Sequence, residues 1–286
     1  MSSIALAAPL SLSALGGYLS ERSGVINIAL EGNMLTSACV TYVVSMLTLN
    51  PWLGVFAGIG SAIVMALIHW LLTQIFSVDH VVSGMALNLI ALGGTNFLGS
   101  VHYKFAPVSM PRLPRYSIDI GGEIVPISIY LVIAYLIPFA VAIYAFRTRG
   151  GIRLRSVGND PSKARLAGIS PAKVRFFAQC ATGVLTGLSG ALIVDNAGAF
   201  TDNMTAGQGY IALAALVIGS WRPIRAFVAC LVFGVLEAVQ IAFQGISFEG
   251  TVIPDQIWQS LPYVMAIIAA AGFVGRNRPP FGLGKP

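Results

Sequence analysis

The segment RTRGGIRLRSVGNDPSKARLAGISPAKVR, residues 147–175, decides how the rest of the chain is read. It carries Arg147, Arg149, Arg153, Arg155, Lys163, Arg165, Lys173 and Arg175 against one acid, Asp160, and so holds eight of the seventeen basic residues of the protein. A stretch so charged requires water, yet apolar sequence flanks it, 124–146 before and 176–194 after. Two membrane crossings joined by an aqueous loop meet both demands. A bilayer core takes about 20 apolar residues per helical crossing, and basic loops collect on one face.

Composition supports this. The chain of 286 residues is 56% hydrophobic and only 10% charged, with a mean hydropathy of +0.79, far more apolar than a soluble domain. The net charge of +6 would suggest a polyanion ligand in a soluble protein. Here it sits in loops between apolar runs and reads as topology. Cys39, Cys180 and Cys230 lie inside apolar segments with no CxxC or Cys/His spacing, so they read as packing residues and no metal site is expected. His69, His80 and His102 have no ligand spacing either, and no nucleotide-cradling G-x-x-x-x-G-K-[ST] loop, nucleophile elbow or carboxylate pair occurs. The residues point to a non-catalytic subunit without a cofactor.

Nine apolar segments follow in order: 4–19, 28–49, 52–76, 81–101, 124–146, 176–194, 210–219, 226–243 and 257–274. The first has no basic residue before it and so lacks the n-region of a cleavable signal, which predicts a retained segment. Gly183, Gly187 and Gly190 form a small-residue stripe that favours close helix packing. Residues 210–219 are too short for a straight crossing and are either a kinked crossing or a re-entrant piece. The expectation is an all-α, polytopic integral membrane protein, a single transmembrane domain over 1–286 with about 8–9 transmembrane or re-entrant helices. The loops 102–123 and 195–209 are expected to be external. With 147–175 cytoplasmic, fourteen of seventeen Lys and Arg fall inside, leaving Lys104, Arg112 and Arg115 outside. That count predicts an external N-terminus and a cytoplasmic C-terminus, and it requires 210–219 to cross.

Inside the basic loop, Asn159-Asp160-Pro161 reads as a helix start and Gly168 as its stop, with a second start at Ser170-Pro171. Charge alone leaves two readings open, a topogenic loop whose helix rests on headgroups, or a docking helix. At membrane depth the chain places Glu31, Asn88, Asn96, Glu237 and Gln240. A carboxylate there costs about 2.5 to 3.5 kcal/mol and tends to face a cavity or a partner. Asn88 and Asn96 are eight apart and Glu237 and Gln240 three apart, each pair near one helical face. These four are substrate-path candidates. The competing role for each is an interhelical hydrogen bond, and for Glu31 an ion pair with Arg22 or a helix N-terminal cap. Phe97, Phe200, Tyr210, Phe233 and Phe243 either stack on a base or pack.

The segments Gly158-Asn159-Asp160-Pro161, Ala164-Arg165 and Ala167-Gly168-Ile169 resemble the cytoplasmic coupling segment of ABC importer permeases, a short helix that docks in a groove of the ATP-binding subunit. Residues 16–32, GGYLSERSGVINIALEG, resemble the nucleoside or simple-sugar branch of the branched-chain amino acid, ribose and galactoside permease superfamily, which works with a Bmp-type lipoprotein or periplasmic receptor. Residues 82–89, VSGMALNL, and Pro262-Tyr263 fit the same branch, so the resemblance covers nearly the whole chain. The short N-terminus is similar to that of the smaller of two permeases usually encoded together, and Arg222-Pro223-Ile224-Arg225 stands where many relatives have a glycine after the proline. The resemblance implies a permease subunit of an ABC importer in the bacterial cytoplasmic (inner) membrane, moving nucleosides, a related ribosyl compound or a simple sugar. It implies as partners an ATP-binding subunit, a second permease subunit and an extracytoplasmic substrate-binding protein. Asp160, Pro161, Lys163, Ala164, Arg165, Ala167, Gly168 and Ile169 would couple to the ATPase. The alternative function is an ion-coupled secondary transporter using Glu31 and Glu237.

Overall fold

The computed structural model describes residues 3–101, 109–120, 123–244, 247–248, 251–252, 255–273 and 279–284. Residues 102–108 of the expected external loop, Lys104 among them, and Arg276, Arg278 and Lys285 lie outside the described residues. The elements run α1 (Ser3–Arg22), α2 (Leu30–Thr48), α3 (Pro51–Gln74), α4 (His80–Val101), β1 (Arg115–Ile120), β2 (Glu123–Ser128), α5 (Ile129–Arg147), α6 (Arg149–Asn159), α7 (Pro161–Leu166), α8 (Pro171–Ala197), α9 (Gln208–Ile218), α10 (Pro223–Phe243), β3 (Ser247–Phe248), β4 (Thr251–Val252) and α11 (Asp255–Phe273). Among the described residues the fold is α-helical apart from two short antiparallel hairpins, β1–β2 and β3–β4. The nine apolar segments of the sequence become α1 to α5 and α8 to α11. Among the described residues six of these, α1, α3, α4, α5, α8 and α10, are long and apolar enough to cross a membrane. The protein is a multi-pass membrane protein.

Starts and stops follow the local sequence. Asn50 accepts a hydrogen bond from the Trp52 N–H at 3.0 Å ahead of Pro51 at the first position of α3, and Pro161, Pro171 and Pro223 open α7, α8 and α10 in the same position. Helix α8 stops at Gly198, whose φ of +81° suits glycine.

Two boundaries differ from the sequence reading. The segment beginning at Ile124 enters the membrane helix only at Ile129; residues 123–128 pair instead with 115–120, from Arg115 opposite Ser128 to Ile120 opposite Glu123. The β-branched run Ile124, Val125, Ile127 fits a strand, and Pro126 is tolerated because a two-stranded hairpin always leaves an edge free. The second difference is α6. A single short helix is expected in the basic loop, yet 149–159 is helical too. Leu154 and Val157, three apart, are buried on one face, while Arg149 and Arg153 point outward.

Helices α1, α2 and α8 form the interior. They pack closely because α8 presents glycine and hydroxyl side chains. A Cβ on Gly190 would lie 2.2 Å from the Met34 carbonyl oxygen, and one on Gly183 would lie 2.5 Å from the Ile63 Cα, so both positions must stay bare. Between them, Thr182 donates to the Gly16 carbonyl at 2.8 Å, Ser189 to the Pro9 carbonyl at 2.7 Å, and Ser37 of α2 to the Gly187 carbonyl at 2.7 Å. Such bonds contribute about 0.6 kcal/mol each in membranes, so close van der Waals packing carries most of the association. Around this centre, α3, α5, α10 and α11 expose Phe56, Leu136, Phe139, Val232 and Ile267, the apolar surface a bilayer solvates.

The basic residues gather at one end. The Arg22 carbonyl lies against Gly158, Arg175 donates to the Ser23 carbonyl at 3.3 Å, and Trp221, next to Arg222, donates to Glu21 at 2.5 Å. The opposite end holds Arg115, which donates to the Asp195 carbonyl at 2.9 Å, and Met110, whose N–H donates to the Gly198 carbonyl at 2.8 Å. Between Gly198 at that end and Trp221 at the basic end, the chain descends first as irregular backbone and then as α9. The irregular part is anchored in protein at Phe200 and Thr205, which are almost without exposure, while Thr201, Asp202, Asn203 and Ala206 are exposed.

Candidate functional site

The first site is at the basic end. Thr148 caps α6 by accepting from the Gly151 N–H at 3.1 Å. At the other end of α6 a Cβ on Gly158 would lie 2.1 Å from the Arg22 carbonyl oxygen, so this glycine lets α6 lie directly on the end of α1. Asp160 then turns the chain into α7, its Oδ1 accepting from the N–H groups of Ser162 at 3.1 Å and Lys163 at 3.0 Å. Those backbone donors, the Lys163 N–H foremost, hold the Asp160 carboxyl below the usual carboxylate range. The Lys163 ammonium lies 3.3 Å from Oδ2. Pro161 and Ala164 are buried beneath α7, while Lys163, Arg165, Ala167 and Gly168 are exposed and Leu166 is 89% exposed. Gly168 takes φ +77° and the Ile169 N–H donates to the Ala164 carbonyl at 3.0 Å, which closes α7 and leads through Ser170 into α8. The eight residues 160, 161, 163–165 and 167–169 thus form one knob just before the first turn of α8, seated on the buried Pro161 and Ala164 and exposing the rest of α7. An apolar tip ringed by cations suits an acid-rimmed groove on another protein.

The second site is at membrane depth, where α9 begins. Glu31 accepts from the Thr205 hydroxyl at 2.6 Å, the Gly207 N–H at 2.8 Å and the Gly209 N–H at 2.6 Å. It therefore caps α9, some 174 to 178 residues along the chain, in place of the Arg22 pairing or the cap on its own helix that its position suggested; among the described residues its hydrogen-bond donors lie between Thr205 and Gly209. A Cβ on Gly209 would come within 2.5 Å of the Glu31 backbone nitrogen, so glycine is required for that approach. Asn88 donates to the Ile28 carbonyl at 3.0 Å and the Tyr210 hydroxyl at 2.8 Å, and accepts from the Gly32 N–H at 2.8 Å. Glu237 accepts from the Gln208 amide at 2.7 Å, and the Tyr263 hydroxyl donates to the Ala206 carbonyl.

The structure thus brings Glu31, Asn88 and Glu237 together around α9 and leaves two sequence candidates aside. Asn96, two turns beyond Asn88, is exposed, and Gln240 is half-buried one turn beyond Glu237. Asn88 spends its amide on the protein itself. Among the described residues Glu237 Oε2 and Gln208 Oε1 are buried acceptors without a partner, so the cluster can take hydrogen bonds from hydroxyl or amino groups. Gln208 and Thr205 were not legible as site residues, since both fall in or beside a polar stretch that reads as a loop. Their only signal is the pair Gly207 and Gly209 flanking a glutamine ahead of an apolar run.

A family model described as "Branched-chain amino acid transport system / permease component" matches residues 1–270. The chain belongs to this family. Among curated relatives, this permease is 35% identical to the guanosine ABC transporter permease protein NupQ of Bacillus subtilis (strain 168), with 98% of this chain and 93% of the relative covered. It is 33% identical to the nucleoside ABC transporter permease protein NupC of Lactococcus lactis subsp. cremoris (strain MG1363), covering 94% and 89%. With the glucose ABC transporter permease protein TsgB13 of Haloferax volcanii it shares 26% identity over 83% of this chain and 69% of that one. A solved structure described as an inward-facing metal-chelate type ABC transporter superposes with a TM-score of 0.54 at 14% identity, covering 94% of this chain and 84% of that one, a likeness of fold alone.

Proposed function

We propose that this permease subunit carries nucleosides, or a closely related ribosyl compound, across the bacterial cytoplasmic membrane, driven by a separate ATP-binding subunit. The observation that carries the substrate class is the 35% identity to a guanosine permease over 98% of the chain. The cluster at the start of α9 agrees with it, because the unpartnered oxygens of Glu237 and Gln208 accept hydrogen bonds of the kind ribose hydroxyls and base amino groups donate. Asn96 and Gln240 extend the same path one to two turns along α4 and α10.

The knob at α7 is the coupling element. Closure of two ATPase subunits displaces α7, and because only Ala167 to Ser170 separate it from α8, the displacement travels along α8 to the interior. The knob faces the cytoplasm, and the ends near Arg112, Arg115 and 198–207 face an extracytoplasmic receptor. A second permease subunit completes the path. Purification from native membranes, with co-purifying chains identified by mass and ATPase activity assayed with guanosine, uridine and glucose, tests this reading. A Walker-motif ATPase stimulated by nucleosides supports it. Stimulation by glucose but by neither nucleoside contradicts the substrate, and recovery of the chain alone, active in ion-driven uptake, contradicts the whole.

A further inference from the structure

A groove of about 660 Å³ runs between α5 and α8 and is floored at the basic end by α6. Its walls are apolar side chains, among them Ile137, Ala140, Phe177 and Ala181, and Tyr144 and Arg153 stand at its basic mouth. It opens where the protein already meets lipid: Leu136, Ile143, Phe177 and Val184 beside it are exposed. The volume falls within the roughly 300–1,000 Å³ of small-ligand sites.

The charge at the mouth is one-sided. Arg153 is exposed, Arg149 lies one turn earlier on α6, and Lys173, next to the wall residue Val174, is exposed at the start of α8. Neither α5 nor α6 contains an acid, and the one acid of α8, Asp195, is at the far end beside Arg115. Of the nearest acids, Asp160 faces Lys163 and Glu21 is buried against Trp221. An apolar slot at bilayer depth that ends in uncompensated cations is complementary to one chemistry, acyl chains joined to an anionic headgroup.

We propose that this groove is a binding site for an anionic phospholipid, with acyl chain between α5 and α8 and phosphate at Arg153. The lipid bridges the membrane helices to α6, which lies against the end of α1 and leads through Asp160 into α7, so its occupancy steadies the segment that precedes the knob. The site is separate from the polar cluster at α9 and does not depend on the substrate reading.

The test uses the full chain in bilayer discs of equal palmitoyl-oleoyl phosphatidylglycerol and phosphatidylcholine, extracted in mild detergent and weighed intact by native mass spectrometry. The expected result is phosphatidylglycerol retained several-fold over phosphatidylcholine, with the preference abolished by Arg153→Ala and the retained lipid lost in Ala140→Phe, which fills the groove from an exposed position on α5. Val228→Phe, on the outer face of α10, should retain lipid as the unaltered chain does. Equal retention of the two lipids, unchanged retention in both groove variants, or a disulfide between two copies carrying Phe177→Cys, which would make the occupant a second copy, overturns the proposal.

Discussion

Replacing Glu31 by glutamine changes one oxygen for one NH₂ at the point where α9 is capped. In the native arrangement Oε1 receives the Thr205 hydroxyl and the Gly207 N–H, and Oε2 receives the Gly209 N–H. Glutamine has the same shape but only one acceptor. If its oxygen serves Gly207, its NH₂ confronts the Gly209 N–H; turned over, it confronts the Gly207 N–H. Either way one backbone donor is orphaned in a site where Thr205 is wholly buried and Glu31 is 7% exposed. An orphaned buried donor costs about 1–3 kcal/mol, and a hydrogen bond to a charged group is worth about 1.5–3 kcal/mol. Relief of the carboxylate's own desolvation offsets part of this, leaving about 2–4 kcal/mol of destabilisation. Thr205→Val deletes a single donor and leaves both backbone bonds in place, so it should cost about 1 kcal/mol. Equilibrium unfolding in mixed micelles titrated with dodecyl sulfate, followed by tryptophan emission, measures both. A Glu31→Gln chain as stable as the unaltered one, or no less stable than Thr205→Val, refutes the assignment of Glu31 as the α9 cap.

Four further outcomes follow from named contacts. Gly190→Ala should lose folded protein in the same assay by about 1–3 kcal/mol or more, because its Cβ meets the Met34 carbonyl, whereas Gly60→Ala, with nothing within 4 Å, should be neutral or stabilising. Glu237→Gln should leave the fold intact and lower nucleoside-stimulated uptake by about 10- to 100-fold, the equivalent of one hydrogen bond to a charged group. Leu166→Asp, on the exposed tip of α7, should leave insertion and stability unchanged and lower ATP-driven uptake by about tenfold or more. Because the folded-state pKa of Asp160 is depressed, its capping of α7 is fully present above the ordinary carboxylate range and is lost as pH falls through the depressed value. Amide exchange at Ser162 and Lys163 should accelerate on acidification, and Asp160→Asn should remove that dependence while keeping the cap.

The apolar runs separated by charged or proline-marked breaks showed the helices directly, since a crossing must be long and apolar wherever it lies in the chain. Pro161, Gly168 and Pro171 marked α7 and the start of α8 for local reasons that need no tertiary knowledge. The glycines of α8 announced close packing but not their partners on α2 and α3. What could not be read was any role set by a distant contact. Glu31 looked like a partner for Arg22 because sequence shows only neighbours, and its true partners at 205–209 arrive through the descent of α9. Helix α6 was hidden by its three arginines and three glycines, and its register emerges only once Leu154 and Val157 have a core to enter. Residues 124–128 were apolar enough to join a span, and only pairing with 115–120 decides that they form a strand.

On the proposed function, ATP hydrolysis on a partner chain moves a nucleoside through this permease. The most direct measurement is accumulation of labelled guanosine in vesicles holding the purified complex and its receptor, with ATP supplied on the side of α7 and no ion gradient. The expected result is uptake against the gradient that requires ATP and is lost with Leu166→Asp. Uptake that proceeds without ATP and collapses when an imposed proton or sodium gradient is dissipated would contradict it.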